Sequence, residues 1–254
     1  MKNKVVFFGG KPTSAVCLKK LIAKQESLNF ELIAVYPRPL GYEGWWSREG
    51  VPEVYDVAQD AGLKIIHTKD ELLKLPADIG ISLLFFRIFG REEISHFSKG
   101  IVNFHPAPLP YYRGANAVSH SIINGDKRFG VSLHHINEGV DKGDIIDVLW
   151  LEIDPEMNAR DLYFAAVGKI EDMFDHWLQR IISYDLPRIP QNEICEKLRI
   201  QPQYHARNSL NDIRKLNRAM SDETLLRYVR AFDFPPFEPA YFDLGGMKVY
   251  LRTR

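Results

Sequence analysis

Short apolar runs alternate with amphipathic stretches through the first half of the chain. Residues 4–8 (Lys-Val-Val-Phe-Phe) lead into Gly9-Gly10-Lys11-Pro12, which predicts a buried strand closed by a turn. Val16, Leu18, Leu21 and Ile22 then recur at helical spacing, predicting a helix over residues 13–23. The same reading places strands at 30–36, 64–67, 79–85 and 100–105, and a helix at 51–61. Strands separated by helices form a mainly parallel sheet with crossover helices on both faces. Ligands of such sheets bind beyond the carboxyl ends of the strands. Chemistry is therefore expected near Phe85 and His105.

Two further strands are predicted at 130–137 and 144–153, followed by a long helix over 159–184. Leu186-Pro187-Arg188-Ile189-Pro190 cannot continue a helix and reads as a linker. Beyond it an extended stretch, a helix over 222–231 and a hairpin are expected. In the hairpin, residues 240–244 and 247–251 flank Gly245-Gly246, a two-residue turn. The expected fold is thus α/β: a Rossmann-like, mainly parallel sheet in residues 1–185, with a small C-terminal helix and β-hairpin region in 191–254.

Composition narrows the class. With 45% hydrophobic and 26% charged residues, the 254-residue chain reads as a globular protein with a sizeable core. Lys plus Arg equals Asp plus Glu at 33 each, so no basic field announces a nucleic-acid partner. The N-terminal apolar run is too short for a signal-peptide core, and no stretch approaches the ~20 apolar residues of a membrane span. Cys17 and Cys195 lie far apart and form no redox or metal motif. Cytoplasmic localisation with reduced thiols is the expectation.

Two segments carry candidate chemistry. In Val102-Asn103-Phe104-His105-Pro106, strand alternation points Asn103 and His105 to one side. They either cap the strand and bond loop backbone, or form a small cluster of hydrogen-bonding groups at its end. In Asn137-Glu138-Gly139-Val140-Asp141-Lys142-Gly143-Asp144, two glycines and three acids read as a solvated turn. The other reading holds one carboxylate close to His105, which pattern alone does not establish. Gly9-Gly10-Lys11-Pro12-Thr13 matches no phosphate-loop spacing and reads as a tight turn. His134 and His135, adjacent in a strand, point to opposite sides, so no metal site is expected there.

Asn103-Phe104-His105-Pro106, Pro108-Leu109-Pro110, Tyr112-Arg113-Gly114 and Gly139-Val140-Asp141-Lys142-Gly143-Asp144 together resemble the folate-dependent formyltransferases, most closely those acting on nucleotide-linked sugars. A fainter echo runs through residues 230–236. The resemblance implies Asn103, His105 and Asp141 as the catalytic set and 10-formyltetrahydrofolate as co-substrate, with no metal. It implies a folate site at Phe86, Arg87, Ile88, Phe89, Gly139, Val140 and Asp144. An amine would attack the formyl carbon, with Asn103 and His105 donating to the oxygen that gains charge.

Three acceptors compete within this resemblance. Glycinamide ribonucleotide enzymes grip a phosphate in their first glycine-rich loop, where this chain has Pro12. Methionyl-tRNA formyltransferases carry a C-terminal barrel, and the stretch after the linker is short and lacks a basic block. Sugar N-formyltransferases match in length and in a reduced C-terminal region. The expected acceptor is therefore a nucleoside-diphosphate-linked 4-amino-4,6-dideoxysugar or 3-amino-3,6-dideoxysugar, used in surface polysaccharides such as O-antigen. Base stacking and diphosphate binding are expected of Tyr42, Trp45, Trp46, Arg48, Pro106, Arg113, Tyr204 and Arg207. A homodimer is expected. A hydrolase releasing formate from the folate remains an alternative, as does a methionyl-tRNA formyltransferase-like enzyme.

Overall fold

Alternation within the first strand already divides the molecule into two layers. The structure, a computed structural model, describes residues 2–39, 41, 44 and 52–253. In chain order the elements are β1 (Asn3–Gly9), α1 (Pro12–Ala23), β2 (Phe30–Tyr36), α2 (Val54–Asp60), α3 (Lys69–Leu72), β3 (Ile79–Leu83), α4 (Arg91–His96) and β4 (Gly100–His105). There follow β5 (Tyr112–Gly114), α5 (Ala117–Asn124), β6 (Arg128–His135), β7 (Ile145–Glu152) and α6 (Ala159–Ser183). The remainder comprises α7 (Gln191–Leu198), β8 (Gln203–His205), a 3-10 turn at Asn211–Ile213, α8 (Asp222–Phe232), β9 (Ala240–Leu244) and β10 (Met247–Leu251).

Six strands make one sheet in the order β2-β1-β3-β4-β6-β7. The first four are parallel, and β6 runs antiparallel to both β4 and β7. Val5 and Phe7 of β1 join Ala15 and Leu18 of α1 and Ile170 and Phe174 of α6 in the larger core. Val6 and Phe8, on the opposite face, pack with Ile66, Leu72 and Phe97 in a smaller one. Each face is thus covered, as a mainly parallel sheet requires. Residues 64–67, expected as a strand, give one parallel bridge, Ile65 to Val35. Pairing stops there because the backbone N–H groups of His67 and Thr68 donate to the Glu71 carboxylate, starting α3.

Four helices escaped the pattern reading: α3, α4, α5 and α7. α3 and α4 span four and six residues, too few to show periodicity. α7 carries Ile194, Cys195 and Leu198 among polar neighbours. The C-terminal region does not stand apart from the sheet. Leu210, Leu216, Val229 and Phe232 belong to the same buried cluster as α5 and α6. The β9–β10 hairpin turns at Gly245 and Gly246, whose φ angles of 62° and 89° favour glycine.

Candidate active site

β4 delivers the first two polar groups. Val102 and Phe104 are buried in the larger core and Ile101 in the smaller, so Asn103 and His105 share the Ile101 face. β3 and β6 flank β4 and set Ser82 and His134 beside Asn103 in register. The Ser82 hydroxyl donates to Asn103 Oδ1 at 2.9 Å. His134 Nδ1 meets the His135 carbonyl at 2.8 Å, and a carbonyl can only accept, so Nδ1 carries the proton. Burial pushes the His134 pKa down, against the pull of Asp141, so the ring is neutral and its Nε2 accepts. The Asn103 amide donates to that Nε2 at 3.1 Å. Both ends of the amide are therefore fixed, and its second N–H remains for the cleft.

His105 is oriented by the same logic. Its Nε2 donates to the Tyr112 carbonyl at 2.9 Å, which leaves Nδ1 with the lone pair in the neutral ring. Nδ1 lies 3.7 Å from Asp141 Oδ1, and His134 Nε2 lies 3.7 Å from the same oxygen. Both distances exceed a hydrogen bond but keep the carboxylate beside either ring. Asp141 Oδ2 accepts from the Gly114 backbone N–H at 2.8 Å. Burial opposes ionisation of Asp141, yet the two imidazoles, the Gly114 N–H and Arg113 hold its carboxyl below the usual range. Asp141 itself sits at φ 51°, a left-handed position that Asp tolerates in a tight loop.

These groups line a cleft of about 780 Å³. Asn103, His105, Asp141, Phe86, Arg87, Ile88, Phe89, Gly139, Val140, Pro106, Tyr204 and Arg207 all border it. Ile88 is 68% exposed, an apolar side chain standing in the opening. Arg87 is held by the buried Glu93 and lies over the Tyr36 ring. Two expected ligands are not among the lining residues. Asp144 pairs with Arg188 at 3.6 Å, and Arg113 is buried against Gln191. Tyr42, Trp45, Trp46 and Arg48 lie outside the described residues.

A formyl transferase family model matches residues 3–172, which contain every group of this cluster. The chain belongs to the formyl transferase family. Its catalytic fold is that of a formyltransferase, in agreement with the motif resemblance. The methionyl-tRNA formyltransferase of Coxiella burnetii is 27% identical over 265 residues, covering 100% of this chain and 80% of that protein. Among solved structures, an N-formyltransferase from Helicobacter canadensis, in complex with folinic acid and dTDP-3-aminofucose, superposes with a TM-score of 0.78 at 26% identity. It covers 98% of this chain and 86% of its own. WlaRD, a sugar 3N-formyl transferase in the presence of dTDP and 5-N-formyl-THF, gives 0.78 at 25% identity, with coverages of 98% and 85%.

Several residues of this formyl transferase's cleft escaped the sequence reading. His134 was noted only as half of an adjacent pair; its place beside Asn103 follows from an antiparallel register that periodicity does not reveal. Lys11, Arg38 and Tyr163 also line the cleft. Burial, followed by Arg38 and Arg207, lowers the Lys11 pKa to about 8. The first turn thus carries one member of a cationic group, a role its spacing did not announce. Among the described residues no group of His, Cys, Asp and Glu could hold a metal, and no helix is long and apolar enough to cross a membrane.

Proposed function

We propose that this formyl transferase moves the formyl group of 10-formyltetrahydrofolate onto the amine of a nucleoside-diphosphate-linked 3-amino- or 4-amino-dideoxysugar. The observation that carries it is the pairing of one unclaimed Asn103 amide hydrogen with the His105 Nδ1 lone pair at the same cleft wall. The amine nitrogen bonds to the formyl carbon and the carbonyl electron pair moves onto oxygen, where Asn103 donates. His105 Nδ1 takes the ammonium proton, and ionised Asp141 stabilises the imidazolium. The electron pair then returns, the bond to the folate nitrogen breaks, and that nitrogen takes up a proton. The residues fit a folate: Phe86, Ile88 and Val140 give apolar surface beside this polar wall.

The acceptor reading draws on two supports. The Helicobacter structure contains a dTDP amino sugar, and WlaRD is a sugar 3N-formyl transferase solved with dTDP. Arg38 and Arg207 both lie close enough to Lys11 to depress its pKa, and the three border the cleft with Tyr163 and Phe234, chemistry suited to a diphosphate and a ring. The test is incubation with 10-formyltetrahydrofolate and a panel of dTDP-, UDP- and GDP-linked 3- and 4-amino sugars, read by mass spectrometry. One sugar gaining a formyl group is expected. Formate release with no formylated sugar makes the protein a hydrolase, and formylation of charged initiator tRNA overturns the sugar assignment.

A further inference from the structure

The segment after α6 does more than join two regions. The Pro187 carbonyl accepts from His135 Nε2 at 3.0 Å. Ile189 and Ile145 exchange backbone hydrogen bonds at 2.9 and 3.1 Å. Gln191, in the first turn of α7 and only 3% exposed, has all its side-chain polar atoms engaged. Its Nε2 donates to the backbone carbonyls of Asp141 and Gly143, each at 2.8 Å. Its Oε1 accepts from Arg113 Nε at 3.0 Å and Nη2 at 2.7 Å.

These bonds close a ring around the catalytic carboxylate. The Arg113 side chain holds Gln191, and Gln191 holds the Asp141 backbone. The residue after Arg113, Gly114, donates its N–H to the Asp141 side chain. Asp141 is therefore gripped at main chain and side chain by two consecutive residues of β5, one of them acting through Gln191. A glutamine is the residue this geometry needs, since it offers one acceptor for a guanidinium and two hydrogens for converging carbonyls. Glutamate would hold Arg113 but face both carbonyls without a donor. α7 lies beyond the residues that the family model matches.

We propose that Gln191 is a positioning residue for Asp141, fixing the carboxylate between His105 and His134. This rests on the reading of Asp141 as the ionised partner of His105. Two variants separate it from a packing role. Gln191→Glu keeps the acceptor for Arg113 at nearly equal volume, and Gln191→Met removes both functions without adding charge. In each, kcat should fall about tenfold to a hundredfold, as misplaced catalytic groups do, with the KM for the folate donor changing far less. The Asp141 carboxyl should titrate at higher pH, because it loses the Gly114 N–H and the neighbouring imidazoles that favour its ionised form. Carboxyl 13C NMR, with Asp141→Asn supplying the assignment, follows the same titration with no acceptor present. It therefore decides the matter even where no sugar is formylated. An Asp141 titration unchanged in Gln191→Met, or raised only by the new charge in Gln191→Glu, overturns the inference. So does kcat within about twofold of wild type in both variants.

Discussion

The orientation of one amide decides what the site can do. Asn103 has its oxygen taken by Ser82 and one hydrogen taken by His134, so a single amide hydrogen remains for the cleft. His134→Leu removes the acceptor and frees the amide to turn; kcat should drop roughly tenfold to a hundredfold while folate affinity, read by calorimetry, is retained. His105→Ala should abolish most turnover and leave folate binding intact. His134 also makes stability depend on pH. It is buried neutral with its pKa down from 6.5 to about 4, so the unfolded chain binds the extra proton first as pH falls. Stability is complete above about 6.5 and should weaken as pH falls toward 4, seen as a falling Tm that flattens in His134→Leu. Alternation made Asn103 and His105 legible as a pair. His134 was not legible, because its neighbour is chosen by strand pairing rather than by spacing.

At the scale of elements, the β6–β7 connection is the most constrained part of the site. A Cβ on Gly143 would lie 1.7 Å from the His135 carbonyl oxygen, closer than any side chain allows. Gly143→Ala should therefore displace Asp141, lowering kcat by about tenfold or more, with the damage visible as a shifted loop in a crystal structure. The glycines and acids of 137–144 mark a turn in the sequence. That the turn faces β4 follows from β6 pairing antiparallel beside it, a placement that local patterns leave open. α7 was illegible for a different reason: its one decisive residue, Gln191, is a polar side chain in the core, where pattern reading expects an apolar one.

For the molecule as a whole, equal numbers of acids and bases conceal an uneven distribution. Lys11, Arg38 and Arg207 meet in the cleft although the formal net charge is zero. Lys11 loses its proton near pH 8, so affinity for dTDP, measured by calorimetry, should weaken as pH rises through that value. Lys11→Arg, charged throughout, should remove the dependence. Trp45→Ala should raise the KM for the sugar nucleotide with little change in kcat, the outcome expected where the nucleotide base stacks on the aromatic run. The parallel order of the main sheet was readable from alternating runs. The convergence of three distant cations was not, since it depends on loops from three regions of the chain.

The short pairing of β5 with β8 has a consequence for engineering. Tyr112, Arg113 and Gly114 run beside Gln203, Tyr204 and His205, and a Cβ on Gly114 would meet the His205 carbonyl oxygen at 2.3 Å. The strand whose Gly114 N–H holds the Asp141 carboxylate is thus also the strand on which the C-terminal region is seated. A chimaera cut at the proline-rich linker would exchange acceptor preference and catalytic alignment together. Grafts intended to change the acceptor should instead carry β5 and β8 as one unit, leaving β4 and the 137–144 turn with their original host.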